Sequence, residues 1–193
     1  MWGIVNASER EPFVRALDAA LLPVGFSRKR KTTEWKRDED ASCESWIHLN
    51  FGLSVINPSV GVRYAGLDAH VPPEIRINSA AFEMLSSLSG CIYDGRTRPE
   101  DLAHHVETYG LAAILNLQNR ETTITRLMES LGPWPVFGWS ARIRLLPILL
   151  AAQGRLKEAV QWLEHFEEEG LSRDQQLPRY SEFVAAFRRM HGT

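Results

Sequence analysis

A chain of 193 residues with 22 Lys and Arg against 24 Asp and Glu carries a formal charge of −2, and 44% of it is apolar and 24% charged. These are the proportions of a folded globular protein, and at this length folding buries roughly 70% of the unfolded surface, so no disulfide or metal staple is required. Near-neutrality excludes a wholesale polyelectrolyte binder and leaves room only for local charged patches.

The N-terminus, Met-Trp-Gly-Ile-Val-Asn, has no cationic start and no apolar run of secretory-signal length. The longest apolar stretch, Leu145 to Ala152, is interrupted by Pro147 and falls far short of the roughly 20 residues a membrane span needs. A cytoplasmic protein is the expectation. Cys43 and Cys91 lie far apart, with neither a Cys-x-x-Cys spacing nor a nearby His pair, so they read as reduced, buried thiols.

Ser8-Glu9-Arg10-Glu11 has the form of a capping box, with Pro12 in the first turn. Phe13, Val14, Leu17 and Leu21 then recur at helical spacing until Pro23 and Gly25 end the helix. From Lys31 the texture becomes strand-like. Thr32, Thr33 and Trp35 suit a strand, and Asp38 to Ser42 a polar turn. Ile47, Leu49, Phe51 and Leu53 then alternate with His48, Asn50, Gly52 and Ser54. Asn57-Pro58-Ser59 reads as a turn before a third strand through Val60, Val62 and Tyr64. Ile75 and Ile77 suggest a fourth strand, and Cys91-Ile92-Tyr93 a closing one; Ala80 to Leu88 is ambiguous between helix and strand.

The second half is helical. Thr97-Arg98-Pro99-Glu100 repeats the capping pattern, with Leu102, Val106 and Tyr109 on one face and Gly110 as a bend or stop. Leu111, Ile114, Leu115 and Leu117 continue, followed by Ile124, Leu127, Met128 and Leu131. Gly132-Pro133-Trp134-Pro135 is the strongest break. It divides the chain into an α+β domain, 1–132, and a helical extension, 133–193. In the extension, Ile143 to Gln153 and Leu156 to Phe166 form two helices joined through Gly154, and a last helix runs from about Pro178 to Met190. The predicted fold class is α+β: an N-terminal helix on an antiparallel meander of three to five strands, followed by a helical lobe.

Chemistry-bearing motifs are sparse. There is no phosphate-binding Gly loop, and Gly138-Trp139-Ser140 lacks the final Gly of a nucleophile elbow, so Ser140 reads as a helix cap. The adjacent His104 and His105 point about 100° apart on a helix and cannot share a metal by themselves; either could meet His48 or His70 only through the fold. Glu34-x-Lys36, with Asp38, Glu39 and Asp40 behind it, has the form of half a metal-dependent nuclease site. The nearest upstream carboxylate, Asp18, falls on the first helix rather than on a neighbouring strand. No cofactor and no metal are therefore expected.

Two kinds of charged segment remain. Arg28, Lys29, Arg30, Lys31, Lys36 and Arg37, with Trp35 among them, could bind a nucleic-acid backbone and stack on a base, or could simply form a charged edge that resists aggregation. Asp38, Glu39, Asp40 and Glu44 follow at once and weaken that field. A second acidic cluster, Glu164, Glu167, Glu168 and Glu169, suits a solvated helix end or docking against a basic partner.

Leu22-Pro23-Val24-Gly25-Phe26, the basic Arg28 to Lys31, Trp35, Leu49-Asn50-Phe51-Gly52-Leu53 and the helical segment Asp101 to Gly110 together resemble an uncharacterised bacterial α+β family with a Gly-Phe-basic-aromatic signature. Related proteins occur among immunity proteins that neutralise polymorphic or contact-dependent toxins. The likeness spans about residues 8 to 131, and the tail from Pro133 departs from it. That tail instead carries one pair, Leu149 to Ala159, similar to a tetratricopeptide hairpin, with no second copy at the family's period. The resemblance implies a non-enzymatic protein whose partner is a toxin domain, and it brings no catalytic residues. The two acidic clusters are then the candidate docking residues, and the basic 28–37 segment serves the alternative of a nucleic-acid-binding module.

Overall fold

The computed structural model describes residues 7–52, 55–73, 80–129, 139–170 and 180–193. Helix α1 spans Ala7–Leu21 and already contains the predicted cap, Ser8; Pro12 lies inside it rather than in its first turn. Its apolar stripe, Phe13, Val14, Leu17 and Leu21, is buried as the spacing predicts. A 3-10 turn, Leu22–Val24, follows and stops at Gly25, whose φ of +89° is the left-handed conformation that favours glycine at a helix end.

A five-stranded sheet comes next, in the sequential order β1-β2-β3-β4-β5: Ser27–Arg28, Glu34–Asp40, Cys43–Phe51, Ile56–Tyr64 and Ala80–Met84. The sheet is antiparallel and the fold is α+β. Trp35 sits opposite Ile47, and Lys36 opposite Trp46. Trp35, Ile47 and Leu49 therefore share the face beneath α1, where Phe51 meets Phe13 edge-on at 6.2 Å. Glu34, Lys36, Trp46 and His48 take the opposite face.

Several local expectations need correcting. The polar turn shrinks to Ala41 and Ser42, because β2 runs on through Asp40. Asn57-Pro58-Ser59 is not a turn but the start of β4. Ile56, Val60, Val62 and Tyr64 are all buried at period two across it, and an extended backbone accommodates the fixed φ of Pro58. Ala80 to Leu88 divides into strand β5 and a short helix α2, Leu85–Ser89. Cys91 to Tyr93 is not a strand: it is a loop that touches β4 through Ile56 N–H to the Tyr93 carbonyl at 2.9 Å and a single bridge between Val55 and Asp94. The fourth strand expected at Ile75 and Ile77 lies outside the described residues, as does the break at 132–135.

Helix α3, Pro99–His105, continues through a π-turn, Val106–Gly110, into α4, Leu111–Gln118. Thr97 does not cap α3; its hydroxyl instead accepts the Asp94 N–H at 2.9 Å, and Arg98 occupies the cap position without capping the backbone, its Nε and Nη2 donating instead to the Asp101 carboxylate at 2.8 and 2.6 Å. Gly110 does not stop the helix: it closes the π-turn, and α4 follows directly. It lets the helix approach the sheet: a Cβ there would stand 3.1 Å from Val60 Cγ1, 3.6 Å from Val106 Cγ1 and 3.7 Å from Leu85 Cδ1. Gly110→Ala should gain about 1 kcal/mol of helix propensity yet lose more, because the β-branched Val60 has little rotamer freedom with which to yield. A net loss of about 1 kcal/mol is expected in urea denaturation; unchanged or raised stability would show that helix and strand can part.

The chain forms two compact units, Met1–Arg63 with Phe82–Asn119, and Tyr64–Ala81 with Arg120–Thr193. In the second, α5 (Arg120–Glu129), α6 (Trp139–Ala152), α7 (Leu156–Gly170) and α8 (Tyr180–His191) succeed one another, and a 3-10 turn, Leu67–His70, packs on α6. Ser140 falls in the first turn of α6 and Pro147 inside it. Gly154, at φ +75°, ends the turn between α6 and α7, and Ala151 and Ala159 on either side of it are buried. Among the described residues no helix is long and apolar enough to cross a membrane.

Candidate functional site

The basic-aromatic segment is partly a folding device. Arg28 holds the Asp18 carboxylate with Nε at 2.8 Å and Nη2 at 2.6 Å, and the Trp35 indole N–H donates to the same carboxylate at 2.8 Å. The Arg28 guanidinium also lies over the Trp35 ring. The Arg28 hydrogen bonds lower the Asp18 pKa against the opposing effect of burial, and the Trp35 bond adds to the lowering. Trp35 has no exposed surface, so in this conformation it cannot stack on a base. Arg37 is likewise engaged: it bonds Glu39 at 2.7 Å and the Val24 carbonyl at 3.0 Å, with its guanidinium over the ring of Phe26.

Lys29, Arg30 and Lys31 are different. They form the exposed turn between β1 and β2, closed by the Thr32 N–H and hydroxyl, both donating to the Lys29 carbonyl. Lys31 takes a φ of +68°, an uncommon conformation for a residue with a side chain.

The acidic strand segment is largely neutralised by its neighbours. Lys36 reaches Glu44 at 3.0 Å and Glu34 at 3.9 Å, and Arg63 from β4 closes on Glu44 from the other side. Glu39 is paired with Arg37. Asp40 accepts the Ser42 N–H at 2.6 Å, and its bonds to Ser42 lower its pKa. Asp38 alone of this group is exposed with no partner among the described residues. The half-nuclease pattern is not completed, because Asp18 lies across the sheet from Glu34 and Lys36, bound to Arg28 and Trp35. Among the described residues no group of three or more His, Cys, Asp or Glu is placed to hold a metal.

The acidic end of α7 keeps its charge. Arg188 of α8 bonds Glu167 at 3.0 Å and stands 4.0 Å from Glu164, while Glu168 is exposed. One guanidinium therefore faces two carboxylates, with a third beside them. The Glu169 side chain lies outside the described residues. Elsewhere on α7 the rings of His165 and Trp162 meet edge-on at 5.4 Å, and Trp162 packs against Phe166 and the Arg142 guanidinium.

Three further clusters escape sequence reading. Ser89 Oγ and Tyr93 Oη are 2.7 Å apart, and Tyr93 Oη is 3.0 Å from His105 Nδ1, a chain that ties the 90–94 loop to α3. Burial raises the Tyr93 pKa. Ser89 Oγ also bonds the Leu85 carbonyl and the Cys91 N–H, so it completes local backbone bonding and is not poised as a nucleophile. Cys91 is only half-buried; Cys43 is the buried thiol of the two, and neither is in a disulfide. On the sheet face opposite α1, Trp46 and Phe82 meet at 6.0 Å from the two strands flanking β4. Finally, His70 meets not His104 or His105 but His191, their rings stacked at 5.7 Å.

The structure thus separates charges that hold the fold from charges left on the surface, and the surviving surface patches are the Lys29–Lys31 turn and the α7 end. Comparison with family models, curated proteins and solved structures finds no match to this chain, so the function of these patches is read from their own chemistry.

Proposed function

We propose that the protein is a cytoplasmic immunity protein that binds a basic toxin domain without catalysis, and that the α7 end is its docking patch. The observation that carries this reading is the excess of carboxylates there: among the described residues, Glu164, Glu167 and Glu168 are set against Arg188 alone. A fixed acidic surface on a rigid helix steers a cationic partner, and such binding weakens with salt because exposed charges are screened. The strand cluster Asp38, Glu39, Asp40 and Glu44 is a poorer candidate, since its own cations already satisfy most of it.

The test begins with the tagged chain purified from its host and its stoichiometric partner identified. The partner's toxin domain should arrest growth when expressed alone, and co-expression of this chain should restore it. Glu164→Lys combined with Glu168→Lys should weaken the complex at least about tenfold and flatten its salt dependence. Unchanged affinity would remove α7 as the patch, and growth arrest indifferent to co-expression would remove the immunity reading.

One observation favours a second reading. Lys29, Arg30 and Lys31 form an exposed cationic turn with no carboxylate against it among the described residues, suited to phosphate-backbone contact. With Trp35 buried, this nucleic-acid mode would lack base stacking, and binding would be insensitive to sequence. Low-salt titration with an oligonucleotide tests it: no binding, or binding retained by the triple Glu variant of these residues, excludes it.

A further inference from the structure

His70 closes the 3-10 turn after β4, and His191 stands in the last turn of α8, yet their rings lie within 5° of parallel at 5.7 Å. His191 is also packed against Phe187, with ring centroids 4.4 Å apart. A hydrogen bond joins the His191 ring to the His70 backbone. His70 Nδ1 and His191 Nε2 are both shut away from solvent with no hydrogen-bond partner. A neutral imidazole tolerates this, because one of its nitrogens is a bare acceptor. An imidazolium does not, because both nitrogens then carry hydrogens that need acceptors.

The charged groups on the surrounding elements do not relieve the problem. Arg142 and Arg144 lie on α6, and Arg188 and Arg189 on α8 itself; the carboxylates are Asp68 on the 3-10 turn and Glu164 and Glu167 on α7. None of these shifts the charge state of His191; burial and His70 do. Burial lowers the His191 pKa most and the His70 ring lowers it further, against the hydrogen bond to the His70 backbone, which raises it.

We propose that the His70–His191 stack is an acid-sensitive latch, which holds the last turn of α8 on the Leu67–His70 turn at neutral pH and releases it when the His191 ring takes up a proton. A histidine whose folded pKa lies below its unfolded value binds fewer protons when folded, so stability rises with pH. The contact is complete above the unfolded value of about 6.5 and is lost as pH falls from there through the folded value. Release is local, because α8 upstream remains anchored by Phe183 and Phe187, which are fully buried. Arg188 lies one turn before His191, so release would also loosen its hold on Glu167 and Glu164; this last consequence, unlike the latch, matters only if the α7 end is the docking patch.

The experiment uses the full chain alone. Amide exchange of residues 187–191, corrected for intrinsic rates, should accelerate about tenfold between about pH 7.5 and about pH 5, while the buried strands stay protected. In parallel, the His191 ring resonance should titrate below those of exposed histidines, with the same midpoint as the exchange change. His191→Phe keeps an aromatic ring against Phe187 and cannot titrate, so its last turn should show no acid response. Exchange that does not change with pH in the wild type, an acid response that persists in His191→Phe, or a loss of protection spread evenly over the second unit would each overturn the latch. If the variant does not fold, the wild-type coincidence of ring titration and local opening decides alone.

Discussion

Asp18→Asn should cost about 2 kcal/mol of stability at neutral pH, and the penalty should fade as the pH drops below about 4. Three donors converge on the Asp18 carboxylate: two from the Arg28 guanidinium and one from the Trp35 indole. The pair is well shielded, with side-chain exposures of 18% for Arg28 and 25% for Asp18. Asparagine still accepts from Trp35 with its single oxygen but turns an NH2 group toward Arg28, replacing attraction with a contact between donors. Alanine removes every partner, strands the indole N–H in a buried site and should cost about 3 kcal/mol.

The pH dependence follows from the direction of the shift. Arg28 lowers the Asp18 pKa, so the unfolded chain takes up the proton first as acid is added. The stabilisation is complete above the unfolded carboxyl value of about 3.9 and is lost as pH falls through the lower, folded value. Urea denaturation of wild type and variant across that range measures it. A gap that stays constant down to low pH would mean that the asparagine side chain disturbs packing and that the charge of Asp18 contributes nothing.

This cluster also shows what sequence reading can and cannot reach. Gly25, Phe26, Arg28 and Trp35 stand out in the sequence because each does a distinct local job. Gly25 reverses the chain at positive φ, Phe26 is buried under Arg37, and Arg28 and Trp35 fasten the sheet to α1 through Asp18. The apolar periods of α1 and β3 were legible for the same reason, since burial at spacing 3.6 or 2 is written directly into residue order. The role of the segment was not legible. A row of cations with a Trp has the same composition whether it faces phosphate or a carboxylate ten residues upstream, and only tertiary pairing decides.

The turn expected at Asn57-Pro58-Ser59 fails for a similar reason. Local turn propensity pointed one way, and the burial of Ile56, Val60 and Val62 along one strand outweighed it. The acidic clusters were found by residue type, but what distinguishes them is the cation each one meets among the described residues: Lys36, Arg37 and Arg63 around the strand cluster, and only Arg188 at the α7 end. Those cations come from other elements or from positions whose pairing depends on strand register. The candidate patch was therefore visible as a run of glutamates, but its surplus charge was not.

Arg142 gave no signal in the sequence at all, and its replacement should be among the most damaging single changes in the helical unit. It stands in α6 with only 2% of its surface exposed. Its Nε donates to the Leu127 carbonyl at 2.6 Å and its Nη2 to the Met128 carbonyl at 3.2 Å, while its guanidinium lies 5.6 Å from the Trp162 ring centre and 5.3 Å from that of Phe166. The last carbonyls of a helix have no partner within it and carry the negative end of its dipole. Arg142 therefore completes the end of α5 and fixes it to α7 in one side chain. Arg142→Met fills similar space but leaves those carbonyls buried and unbonded, at an expected cost of about 3 kcal/mol. Arg142→Lys keeps the charge, can reach a carbonyl with its ammonium, and loses the planar fork and the stacking, so about half that loss is expected. Alanine adds a cavity between α6 and α7 and should be worst, at about 4 kcal/mol. Urea midpoints rank the three variants, and amide exchange at 126–129 locates the damage. The order Lys, Met, Ala, with exchange quickening first at the end of α5, is the expected result. Equal penalties for Lys and Met would mean that the guanidinium serves only as bulk and that the α5 carbonyls find other donors.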